Sequence, residues 1–356
     1  MADLGHIAVR AALSSISAIL VGVGGARAAP PSDTSGPTKV RARGVEFRRA
    51  DPRTGNVTMV VSAARASAGG ESATLEEVRL VRYSSTGAPV LEATAAGGRV
   101  LPGGSVALDG NVTVSWRGEK VDISFLSGPA LWNGEAGVLS SDGPVSGTLR
   151  GVGKTRGKGE DAAAFGLDIE GTGLEVRPGS DRARILRDVS AVATGLAMGP
   201  WRVTADGGLT FSGFAGNSPA LRFAGPVGLE GRGATARADD AEVSLHESKD
   251  KEEDKGKRTL AISRVWLVGM VHARLDGARD FSWGEGSVEV RAESAEIAPG
   301  DADGSDARAV FLGTEGDPAR VFGPHGVLRG KRIEIARDTV RTDGGARSEF
   351  EWGGKR

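Results

Sequence analysis

Histidines and clustered carboxylates are the side chains most able to do chemistry, and this chain arranges few of them usefully. Its histidines are His6, His246, His272 and His325. No two of the last three stand at the close spacing that presents two imidazoles to one metal ion. His325 sits in Phe322-Gly323-Pro324-His325-Gly326, which reads as a turn. Asp239-Asp240 suggests an acid/base pair, and Asp301, Asp303 and Asp306 suggest a calcium loop. That loop lacks the EF-hand glycine position and the distal glutamate, so it reads as a polar turn. Gly151-Val152-Gly153-Lys154-Thr155 ends like a phosphate loop but has neither the G-x-x-x-x-G-K spacing nor a following helix. No serine nucleophile elbow occurs. With Cys 0, disulfides, thiol catalysis and Cys-ligated metals are excluded together. The expectation is a non-enzyme with no catalytic residue, metal or cofactor.

The informative residues are instead those that alternate. In residues 103–116, Val106, Leu108, Val112, Val114 and Trp116 share one parity, and Ser105, Ala107, Asp109, Asn111, Thr113 and Ser115 the other. A period of two puts each set on one face of a strand. The bulky apolar set against the small polar set fits a half-buried antiparallel sheet. Gly110 keeps the phase, which predicts a bend or a close backbone approach. Val121, Ile123 and Phe125 resume the alternation after a turn at 117–120.

Similar segments recur along the chain. Strands are expected at 57–61, 75–83, 90–95, 99–101, 165–176, 184–192, 201–214, 221–229, 259–275, 286–297, 308–312, 320–322, 327–335 and 339–341. Residues 150–164 and the mixed-charge run 247–258 read as solvated loops. Leu108-Asp109-Gly110-Asn111-Val112 is echoed by Leu267-Val268-Gly269-Met270-Val271, and the sequence around Gly171 by that around Gly330. Both pairs are offset by the same interval (269 − 110 = 330 − 171 = 159), which predicts two copies of one β-rich unit. Gly110, Gly269, Gly171 and Gly330 are expected at turns or bulges.

At 356 residues the chain suits two domains, and its hydrophobic content of 39% supports a core. The 55 glycines have no collagen period and sit between short alternating runs. The 45 basic and 46 acidic side chains give no electrostatic pointer to nucleic acid. Residues 1–28 read as a targeting segment: Arg10, an apolar run over 11–23, then Ala26-Arg27-Ala28. Cleavage there and retention as a membrane anchor both remain open, and either exports the rest. Residues 29–43 are a linker, and 346–356 a tail.

These residues carry a family likeness. Gly44-to-Arg48, Ser62-Ala63-Ala64-Arg65-Ala66, Leu75-Glu76-Glu77-Val78-Arg79-Leu80, Tyr83, Thr86-Gly87, Gly98-Arg99-Val100 and 108–112 together resemble LptC of the periplasmic lipopolysaccharide-export family. Arg237-Ala238-Asp239-Asp240-Ala241-Glu242-Val243 and Arg291-Ala292-Glu293-Ser294-Ala295-Glu296-Ile297 are similar to the LptA (OstA-like) repeat of the same family, followed in order by 318–321 and 328–335. The resemblance implies an LptC-like β-jelly-roll unit at 44–198 and an LptA/OstA-like unit at 199–345. It implies lipopolysaccharide acyl chains in an apolar groove, lined by Val106, Leu108, Val112, Val114, Trp116, Ile123 and Phe125. It further implies a periplasmic bridge from inner to outer membrane, with partners that are other β-jelly-roll transport proteins and an inner-membrane ABC transporter. The expected association with the membrane runs through those partners or an N-terminal anchor.

Two extended, proline-free ends, 40–47 and 332–341, are the expected junction edges, with Ile333 and Ile335 on the second. A structural β-solenoid would show the same glycines and alternation with a shorter, stricter period. A carbohydrate-active β-protein would place paired carboxylates among exposed aromatics. Trp116, Trp201, Trp266, Trp283 and Trp352 fall in or beside expected strands, which suits core or groove packing better.

Overall fold

Alternation of this kind gives strands almost everywhere. The computed structural model describes residues 40–69, 72–117, 121–151, 166–194, 200–214, 219–231, 233–249, 258–275, 287–298, 308–323, 326–336, 339–343 and 347–350. Among them there is no α-helix, only two single 3₁₀ turns, and so no helix long and apolar enough to cross a membrane.

The first strands are β1 (Val40–Ala50), β2 (Val57–Gly69), β3 (Ser72–Tyr83), β4 (Pro89–Leu101), β5 (Ser105–Asp109), β6 (Val112–Arg117), β7 (Val121–Ser127), β8 (Ala130–Asn133) and β9 (Val138–Gly151). The middle ones are β10 (Gly166–Arg177), β11 (Arg182–Thr194), β12 (Trp201–Ala205), β13 (Leu209–Ser212), β14 (Ala220–Phe223), β15 (Val227–Gly231), β16 (Ala234–Ala238), β17 (Asp240–Lys249) and β18 (Arg258–Leu275). The last are β19 (Val288–Ala298), β20 (Arg308–Leu312), β21 (Ala319–Gly323), β22 (Gly326–Gly330), β23 (Arg332–Ala336), β24 (Thr339–Asp343) and β25 (Arg347–Phe350).

These strands form one antiparallel meander. β1, β2, β3, β4, β9, β10, β11, β18 and β19 cross the sheet unbroken; the other sixteen make eight crossings in consecutive pairs, which gives seventeen passes. The breaks fall at one height. β5 ends and β6 begins around Gly110, and the register slips at Gly171 of β10 and between Val268 and Val271 of β18. Left-handed residues mark this line: Glu77, Gly110, Gly173, Asp188, Gly208, Gly225, Gly269 and Met270. Such residues interrupt the pleat and bend the strand. The line is a crease.

Ring contacts show that the sheet folds along it. Trp116 of β6 lies five strand steps from β13 along β7, β9, β10 and β11. A flat sheet would separate them by about 24 Å, at about 4.8 Å per strand. The Trp116 ring is 5.7 Å from that of Phe214, just past β13, and Phe125 of β7 is 5.7 Å from Phe211 of β13, both edge-on. The half-strands on either side of the crease therefore face each other as two layers. Within this arrangement β11, β12, β15, β16, β18, β17, β14 and β13 pair in a closed ring, a flattened antiparallel barrel of eight strands. The two layers bury one continuous apolar cluster, from Met59 to Ile335.

Several expectations need correction. The sheet runs straight through the expected boundary at 198/199, where Ala191 of β11 pairs with Val203 of β12. β1 begins inside the expected linker, and β25 occupies part of the expected tail. The run 90–101 is one strand, β4, rather than two. β8 and β9 were not expected: β9 reads V-L-S-S-D-G-P-V-S-G-T-L-R-G, and the crease puts Ser, Asp, Gly and Pro where the alternation should continue. Ile333 and Ile335 lie on β23, which has β20 on one side and β24 on the other, so they are one strand inside the edge. The targeting segment, most of both expected loops, Asp301, Asp303, Asp306 and His325 lie outside the described residues.

Candidate ligand-binding interior

All seven residues expected to line a groove point inward. Val106, Leu108, Val112, Val114, Trp116, Ile123 and Phe125 are at most 4% exposed, while Thr113 of the opposite parity is exposed. Two of them meet the facing layer directly, in the pairs Phe125–Phe211 and Trp116–Phe214, and the two partner rings touch each other. Sequence reasoning missed Phe211 and Phe214, although their placement in 201–214 follows the same alternation. Coverage is incomplete at inward positions along the whole meander: Phe47 and Ala66 near the first edge, Trp201, Leu229 and Ala236 in the middle, and Ile262, Val265, Ala273, Ile297 and Val340 beyond.

Few polar atoms enter this space. At the crease, the Ser127 hydroxyl donates to the Gly128 carbonyl at 3.0 Å and the Ser141 hydroxyl to the Pro129 carbonyl at 2.8 Å. The buried Trp132 indole N–H has no acceptor among the described residues. One inward row does carry charge. Arg49 of β1 is opposite Met59 of β2, Met59 opposite Arg82 of β3, Arg82 opposite Leu91 of β4, and Leu91 opposite Trp116. Cross-strand partners share a face, so both arginines stand at the rim of the apolar interior. Arg49 Nη1 donates to the carbonyl of Gly134, from the turn after β8, and Arg82 Nη1 donates to that of Thr58. Neither has a carboxylate partner among the described residues. Burial pushes the Arg82 guanidinium below its ordinary value, and the neighbouring Arg49 charge adds to this.

The outer face is polar and ion-paired across strands, as in Arg79–Glu92 at 2.7 Å and Arg150–Asp168 at 2.6 Å. Of the carboxylates singled out for chemistry, Asp239 and Asp240 are described: the Asp239 backbone N–H donates to the carbonyls of Val268 and Gly269, and the Asp240 carboxylate is 3.7 Å from Arg222. His272 bonds Glu289 at 2.6 Å, a carboxylate that Arg291 also grips. No three His, Cys, Asp or Glu side chains converge on a metal position among the described residues. Trp266 is not packed inward: it is 37% exposed on the outer face of β18, with the Arg264 guanidinium 5.3 Å from its ring. Trp201 packs on the core, flat against Gly231. Trp283 and Trp352 lie outside the described residues.

Gly110 has φ +83° and open space where a Cβ would stand, which makes it a bend rather than a close approach. Gly269 has φ +74°, and its Cβ would fall 2.2 Å from Asp239 Oδ2. Gly171 has ordinary φ but packs 2.5 Å, by the same measure, from Ile185 Cγ2; Gly330 ends β22 at the step to β23.

The chain matches no family model, and no curated protein matches it. The arrangement itself offers apolar burial between two layers, two cations at one rim, and a free edge at each end of the meander. β1 has only β2 as neighbour, β24 only β23, and β25 only β22 among the described residues.

Proposed function

We propose that this chain is a non-enzymatic, periplasmic lipid-transport protein of the LptC/LptA (OstA-like) kind, with a β-jelly-roll fold. It shields the acyl chains of lipopolysaccharide and joins other β-jelly-roll proteins in a bridge supplied by an inner-membrane ABC transporter. The observation that carries this reading is the single apolar face running the length of an edge-open meander, closely packed at some positions and only partly covered at others from its first strands to its last. Each methylene taken from water into such a space gains about 0.8 kcal/mol, so shielding needs no reacting group. The two free edges present unpaired N–H and C=O groups, which is how a sheet recruits another strand.

The experiment is site-specific photo-crosslinking in cells that make lipopolysaccharide. Crosslinkers at the inward positions Phe47, Ile262 and Val340 should capture it, and one at the outward Thr113 should not. Equal capture from both faces, or none from either, would reject the reading. For the junction, proline at Val340 of β24, rather than at Ile333 or Ile335, removes one donor of a true edge strand. A folded variant that keeps its β-jelly-roll partners would exclude the β24 edge as the junction.

A further inference from the structure

We infer that Arg49 and Arg82 form a receptor for the anionic headgroup of an amphiphile whose tail lies in the apolar interior. This rests on the lipid-binding reading above and adds a chemical class and a point of entry. Both arginines belong to the inward row that continues through Met59, Leu91 and Trp116, so cation and apolar surface share one face. They are separated by one strand, about 10 Å between backbones by strand spacing, and their long side chains are close enough for one charge to act on the other. Each uses a guanidinium N–H on a main-chain carbonyl, of Gly134 and Thr58 respectively. A guanidinium has five such donors, so most remain for a ligand.

A paired structural arginine would have a carboxylate within reach, as Arg65 has Glu76 and Arg79 has Glu92 on the outer face of the same strands. Here two like charges face each other across Met59 with only neutral acceptors. A phosphate or carboxylate between them relieves the repulsion and accepts charge-assisted hydrogen bonds from both. Arg49 also ties β1 to the turn after β8, so the site stands where the first strand meets the opposite layer.

The test uses the full chain with dodecyl phosphate, dodecyl maltoside and inorganic phosphate as probes in calorimetric titrations, the amphiphiles held below their micelle concentrations. Wild type should bind dodecyl phosphate more tightly than the neutral maltoside. The R49Q/R82Q double variant should lose about tenfold or more of the first affinity, as expected for charged hydrogen bonds, and keep the second. R49K/R82K should retain part of the loss-prone affinity, and the unchanged maltoside binding reports an intact fold. If wild type binds neither amphiphile, the lipid-binding reading fails. If it binds both and R49Q/R82Q weakens neither or both equally, the arginine receptor alone fails. Inorganic phosphate binding as tightly as dodecyl phosphate would also overturn it, since the tail would then contribute nothing.

Discussion

Positions 106, 108, 112, 114 and 116 of β5 and β6 correspond, 159 residues on, to Val265, Leu267, Val271, Ala273 and Leu275 of β18. Beside the crease the two regions agree: Leu108 and Val112 are fully buried, and so are Leu267 and Val271. Away from it they part. Val106 and Val114 are buried, whereas Val265 and Ala273 are only partly covered. The aromatic of the first region, Trp116, reaches inward to Phe214; that of the second, Trp266, stands on the outer face. The crease brings the layers together wherever it runs, but how far contact extends from it differs between the regions, even between the two valines at 106 and 265. In the first region the rings of Trp116, Phe125, Phe211 and Phe214 meet across the gap; around β18 the described residues show no such ring contact.

The sharpest way to break this contrast is to truncate one side chain in each region. Phe211→Ala should cost about 3–5 kcal/mol, as for a buried aromatic, and Val265→Ala only about 1 kcal/mol for its partial burial. Urea unfolding measures both, and similar losses would mean that the two regions are packed alike. Next come the crease glycines. Alanine at Gly110 should cost about 1–2 kcal/mol for the left-handed backbone alone. Alanine at Gly269 should cost more, because its methyl meets Asp239, and Asp239→Gly should remove the excess; equal losses at the two glycines would place no steric constraint on the second. A third variant runs the other way. Ala273→Val copies Val114 into the open region and should gain up to about 1 kcal/mol, the usual yield of cavity filling; a loss would show that the position is already closed.

The smallest effect concerns pH. Hydrogen bonding from Arg79 holds the Glu92 carboxyl below the ordinary range, and hydrogen bonds from His272 and Arg291 do the same for Glu289. A depressed folded-state value contributes stability above the unfolded value, near pH 4.3, and that contribution is lost as pH falls through the folded one. Melting temperature should therefore drop below about pH 4.3, and Glu92→Gln or Glu289→Gln should flatten the acid limb slightly and by similar amounts, since exposed pairs contribute little. A clear difference between them would extend the contrast from the interior to the outer surface.

Much of the interior was legible from alternation alone, because a period of two is a direct record of which face a residue occupies. The crease was legible only where it uses glycine. At Glu77 and Asp188 it is made by residues in left-handed backbone, and nothing in their type announces this. β9 was hidden for a related reason: buried Ser141 and the Asp142-Gly143-Pro144 step mimic a turn in the middle of a strand. The inward arginines were obscured twice. Gly44, with φ +62°, shifts the parity of β1, and Arg82 stands one residue before the end of a strand whose other arginine, Arg79, faces out.

Among the described residues, the count of seventeen passes also sets the polarity of the edges. Every neighbouring pair is antiparallel, and the first and last of an odd number of alternating strands run the same way. If copies were stacked in line, the last pass of one would meet the first pass of the next in parallel. Antiparallel continuation with the interior kept inside is available through two like edges related by a twofold axis, or through a neighbour whose own edge has the opposite sense. The 159-residue offset between Gly110 and Gly269 spans eight passes, from the fifth to the thirteenth. Adding or removing an even number of passes changes the length of the sheet and leaves this polarity as it was.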